Sequence, residues 1–143
     1  MDKIEAFEWN DELSVDIPEI DELQKKMFAL LNVLIDLKDN NKDGKECSNM
    51  VAELNEYSRY FFSKEEEYLR KCGYPEIDYH AKQHRKFIKN TVSLRRLVTE
   101  DKDNLNYEVI EQLRDWLVDH IMTSDLLYVP FLRTTNYIKD CKK

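Results

Sequence analysis

Three histidines occur in 143 residues, and two of them, His80 and His84, stand four apart in "YHAKQH". On a helix that spacing puts both imidazoles on one face, one turn apart. The third, His120, follows Leu113 and Trp116 on an apolar stripe, and Glu65 lies one turn beyond Phe61 on another. Imidazole nitrogens are neutral ligands for a divalent cation. A buried, unpaired carboxylate costs several kcal/mol or takes up a proton, and a bound cation removes that cost. Any one of these histidines alone reads as a core residue hydrogen-bonded to a neighbour. Three imidazoles and a carboxylate converging from three helices read as a metal centre. Asp125 stands five residues beyond His120, about 140° round an ideal helix, so a long reach or a local bulge is needed to bring it to the same face.

Helices must position these groups. Pro18 suits a first helical turn, and Ile20, Leu23, Met27, Leu30, Leu31, Leu34 and Leu37 then repeat at helical spacing. The polar run DNNKDGKE, with Gly44, is expected to be the first loop. A second stripe passes through Val51, Leu54, Tyr57, Phe61 and Tyr68 and stops before Cys72-Gly73-Tyr74-Pro75. Gly73 fits a helix stop, and Pro75 cannot sit in a helix interior. The third stripe is Ile77, Ala81, Phe87, Ile88, Val92 and Leu94; the fourth is Val109, Ile110, Leu113, Trp116, Leu117 and Ile121, with Pro130 limiting it downstream. Helices are expected over residues 19–38, 47–71, 77–99 and 106–128, with an irregular N-terminal arm and a short helical tail from Phe131 to Ile138. Short connections between four amphipathic helices imply one all-α domain over 1–143, an antiparallel up-and-down four-helix bundle.

Composition narrows the functional classes. A net charge of −7 and a pI near 5.0 argue against a nucleic-acid or anionic-membrane surface. No apolar run is long enough to span a bilayer, and the acidic opening MDKIEAFEWNDE lacks a signal core, so a cytoplasmic protein is expected. Cys47, Cys72 and Cys141 form no CxxC pair and are expected to be reduced thiols.

The same residues sit in a frame that resembles the hemerythrins, the bacterial ones in particular, over nearly the whole chain. Trp9 followed by "IDELQKKMFALLN" is similar to the family's opening element, and "YSRYFFSKEE" (Tyr57 to Glu66) to its second. "YPEIDYHAKQH" and "WLVDHIMTSDLLY" (Trp116 to Tyr128) match the third and fourth in full. The resemblance implies a non-haem iron pair on the bundle axis, bridged by Glu65 and Asp125, with His80, His84 and His120 on one iron. The two histidines of the other iron fall at Gln24 and Phe61, and both are replaced. A side-chain amide is a poor ligand for a transition metal, and Phe61 puts a ring where an imidazole belongs. One iron rather than two is therefore expected, with zinc or manganese as other candidates. Glu22, Glu56 and Glu66 lie nearby in sequence, but helical spacing assigns each to a solvated face, and Tyr60 reaches inward only if its helix is rotated.

The family's reversible dioxygen carriage draws two electrons from two ferrous ions, which a single ion cannot supply. The expected function is binding of dioxygen, nitric oxide or another diatomic for sensing, scavenging or iron handling. A mononuclear redox enzyme, and a structural or interaction bundle with zinc or no metal, are the alternatives.

Overall fold

In a computed structural model, residues 6–125, 127–132 and 134 are described, with the side chains of Ser124 and Asp125 outside that description. The described residues form helices and turns only. The four long helices are α1 (Pro18–Asp39), α2 (Gly44–Lys71), α3 (Ile77–Glu100) and α4 (Tyr107–His120). A π-helical turn, Ile121–Asp125, follows α4 directly, and residues 127–132 are again helical.

Local chemistry explains the helix ends. Pro18 occupies the first turn of α1, and Asp21 accepts from the Ser14 hydroxyl and the Val15 N–H at 2.6 and 2.9 Å. Asn41, at φ 50°, closes α1 with bonds from Asn41 N to Lys38 O and from Lys42 N to Leu37 O. That is the paired-bond stop that glycine or asparagine favours. Gly44 is the first residue of α2 rather than part of the loop, because Asp43 caps the helix by accepting from the Glu46 N–H at 2.8 Å. At the other end Gly73, at φ 74°, carries the same stop, with Tyr74 N bonded to Leu69 O and Gly73 N to Arg70 O.

Neighbouring helices run antiparallel. Met27 meets Ser58 between α1 and α2; Ser48 meets Thr99 and Asn55 meets Thr91 between α2 and α3. Between α1 and α4, Tyr107 donates to Asp39, and α4 also packs against α3. The result is the four-helix bundle the periodicity implies. Its core holds Met27, Leu31, Leu34, Val51, Leu54, Val98, Ile110 and Leu117, all buried.

Two details depart from the sequence reading. Val92 is 50% exposed, and Thr91 takes the inner position beside Asn55. The fourth helix gives way to the π turn after His120, and Pro130 lies within helical residues 127–132 instead of ending the helix. Of the expected tail from Phe131 to Ile138, residues 131, 132 and 134 are helical and the rest lies outside the described residues. Cys47 and Cys72 are free thiols; Cys141 lies outside the described residues.

The N-terminal arm folds back along α1. Asn32 brackets Phe7, accepting from its N–H at 2.6 Å and donating to its carbonyl at 2.8 Å. The Phe7 ring stacks on Phe28 at 4.5 Å, and Leu13 and Val15 are buried. These anchors set Trp9 over α1, where its indole N–H donates to the Gln24 oxygen at 3.0 Å.

Candidate metal centre

Glu65 on α2, His80 and His84 on α3, and His120 at the end of α4 meet inside the bundle. One ligand atom from each lies within 4.8 Å of all the others. All four side chains are buried, Glu65 to 1% exposure and His84 to 0%. The imidazole centroids stand 4.5 to 4.8 Å apart.

Each member is held by a partner of its own. His80 Nε2 is 2.7 Å from Glu65 Oε1, and the Tyr128 hydroxyl donates to Glu65 Oε2 at 3.0 Å. Glu66 Oε2 is 2.8 Å from His84 Nδ1, and Gln83 Oε1 is 3.0 Å from His120 Nδ1. A carboxylate and an amide oxygen only accept, so they place the proton on each Nδ1. In the neutral ring that leaves the Nε2 lone pair for a cation, the arrangement common to metal-binding histidines. His84 Nε2 also lies 3.0 Å from Glu65 Oε1. Phe62 stacks on His84 at 4.0 Å and Trp116 on His120 at 4.8 Å, fixing both ring planes.

The electrostatics favour a cation. Burial drives the His84 imidazolium toward a lower pKa, but hydrogen bonds to Glu65 and Glu66 outweigh it and the net shift is upward. Carboxylates that shift a buried imidazole in this direction favour positive charge at that place. Three nitrogen donors and a carboxylate fit a first-row transition metal.

Glu66 corrects the expectation of a solvated face. Its side chain is only 16% exposed and reaches back to His84. Glu22 and Glu56 are exposed, the former paired with Lys25, and Tyr60 is 53% exposed. A π turn, a local bulge of the kind expected for Asp125, spans Ile121–Asp125, and the Asp125 side chain lies outside the described residues. Tyr128 shows what such a turn does. Eight residues from His120 leave it about 80° out of phase on an ideal α-helix, and one inserted residue brings it within about 20°. Tyr128 is fully buried and bonded to Glu65.

Gln24 and Phe61 are buried to 0% and 1% exposure. The contact between Met27 and Ser58 sets them level, one turn away along each antiparallel helix. Tyr57, one turn before Phe61, donates to the Leu23 carbonyl at 2.8 Å, and burial pushes its phenol pKa up to about 12. Neither Gln24 nor Phe61 offers a good metal donor. Sequence reasoning passed over Gln83 and the roles of Trp9 and Tyr128. All three stand in quoted stretches that resemble the family, the one signal that could have found them.

A helical bundle with a buried three-histidine, one-carboxylate cluster defines a class of non-haem metal proteins. The profile of the Hemerythrin HHE cation binding domain matches residues 15–132, and the chain belongs to that family. It is 30% identical over 127 residues to a bacteriohemerythrin of Clostridium acetobutylicum, covering 86% of this chain and 98% of that one. It is 27% identical over 124 residues to a myohemerythrin of Theromyzon tessulatum, covering 87% of this chain and 92% of the relative. A wild-type hemerythrin crystal structure superposes with a TM-score of 0.80 at 25% identity, over 88% of this chain and 97% of that one.

Proposed function

We propose that this chain is a hemerythrin-type protein with a degenerate centre that holds one iron and binds a small diatomic ligand there, in sensing or iron handling. The ligands of that reading are His80, His84, His120, Glu65 and Asp125, the last from the family resemblance. The observation that carries it is the unequal centre. One half has three buried imidazoles around Glu65, and the other has a fully buried Gln24 and Phe61.

Bound iron supplies a redox-active Lewis acid. The chain prepares its surroundings. Glu66 and Gln83 hold the Nδ1 protons of His84 and His120, leaving each Nε2 as a donor. Tyr128 holds the second oxygen of Glu65 and so limits its rotation. Phe62, Phe87 and Trp116 pack round the imidazoles and keep bulk water away. Among the described residues no helix is long and apolar enough to cross a membrane.

Elemental analysis of protein isolated without added metal tests the reading. A ratio near one iron per chain is expected. Two irons per chain with an oxo-bridge absorption band would require an unforeseen ligand for the second ion. A chain isolated with zinc or no metal, and unable to take up ferrous ion, would favour a structural bundle.

A further inference from the structure

The Gln24 side chain is fully buried, and its Nε2 has no hydrogen-bond partner among the described residues. The amide cannot simply be turned over. An indole N–H only donates, so the Gln24 oxygen must face Trp9, and the NH2 group points away from the arm. Trp9 is itself fixed by the Phe7–Asn32 bracket and the Phe7–Phe28 stack.

Nearby groups among the described side chains offer this NH2 little. Phe61, level with it across α1 and α2, has no acceptor. Tyr57 is committed to the Leu23 carbonyl, and the Ser58 hydroxyl to the Leu54 carbonyl. Glu65, one turn beyond Phe61, has Oε1 engaged by His80 and Oε2 by Tyr128. A buried donor without an acceptor is costly and persists where something else completes it. Its place, on the side of the centre where the histidines are replaced, points to a ligand from outside the chain.

We propose that the Gln24 amide, oriented by Trp9, is the hydrogen-bond donor that selects the exogenous ligand, favouring a small anion with a terminal acceptor atom. Azide, superoxide and hydroperoxide are of this class. The inference rests on the single-metal reading of the centre. Gln24 is a specificity residue here, and the half of the site without histidines is a ligand pocket rather than a defect.

The test compares wild type with Gln24→Met, which keeps volume and removes the donor, and Trp9→Phe, which removes the group that orients it. Iron content is measured first and is expected to be equal in all three. Azide is then titrated into the ferric proteins, followed by its charge-transfer band, and nitric oxide into the ferrous proteins. Gln24→Met should weaken azide binding about tenfold or more, as loss of a hydrogen bond to an anion does. Trp9→Phe should fall between the two. Nitric oxide, a poorer acceptor, should change less than about twofold.

Equal azide affinity at equal iron content overturns the inference and leaves the single-iron reading intact. So does parallel weakening of azide and nitric oxide, which marks a packing effect. A wild-type chain that takes up no iron overturns both proposals.

Discussion

Single side chains decide whether this bundle holds a metal. His84→Ala or His120→Ala should remove most of the bound iron, measured as iron per chain after desalting. Each substitution takes away a nitrogen donor that no neighbour can replace. Glu66 acts one step back, on His84 Nδ1. Glu66→Ala should lower metal affinity about 10–100-fold in a chelator competition, the range for groups that orient metal-binding histidines. Glu66→Gln should recover part of that loss, since its amide oxygen still accepts. Full affinity in Glu66→Ala would mean that Phe62 stacking alone fixes the ring.

At the level of elements, the π turn after α4 is the feature on which the site's geometry turns. Inserting one alanine after Thr123, an exposed residue inside it, would add a residue beyond the one the turn already absorbs. Everything beyond would then rotate by about 100° relative to His120. Tyr128 would leave the core and its bond to Glu65, while α1, α2 and α3 keep their contacts. The expected result is near-native helical circular dichroism, a lower melting temperature and weaker metal binding. Unchanged metal affinity in the insertion protein would show that the phase set by the π turn is unimportant. The helix stops are more local. Asp43→Ala should cost about 1 kcal/mol in urea unfolding, the usual value for an N-cap, and leave the metal content alone.

For the whole molecule, metal and fold are linked. Removing the metal leaves His80, His84, His120 and Glu65 buried together, so the stripped protein should melt below the loaded one. Equal melting temperatures would mean that the bundle is indifferent to occupancy. A restoration experiment tests the reading of the lost half. Gln24→His with Phe61→His puts imidazoles at two positions that the helix register sets level. Phe61 is fully buried against Phe62, and its loss should destabilise the metal-free bundle by about 1–3 kcal/mol. Reconstituted anaerobically with ferrous ion, the double variant should nevertheless take up two irons. In air it should then develop the absorption of an oxo-bridged ferric pair. Each single variant should fall short of the second equivalent. A double variant that still binds one ion would show that the pocket has closed round position 61.

The fold and most of the histidine cluster were legible because a helix converts spacing into direction. At 3.6 residues per turn, an apolar stripe shows which side faces in, and His80, His84, His120 and Glu65 lie on such stripes. The stop at Gly73 was equally plain, since its chemistry is contained in a few neighbouring residues. What escaped depends on how separate elements are rotated and shifted against one another. Glu66 stands 100° round α2 from Glu65, and spacing alone sends it to solvent; the packing of α3 on α2 brings His84 Nδ1 to it. Tyr128 and Glu65 are 63 residues apart and meet only because a π turn changes the phase of the chain. Val92 and Thr91 differ by a single position on α3, and the partner Asn55 on α2 determines which of them is inside. Likewise the sequence records that Gln24 replaces a histidine, but only the arm folded back along α1 puts Trp9 on its oxygen and turns its NH2 group inward.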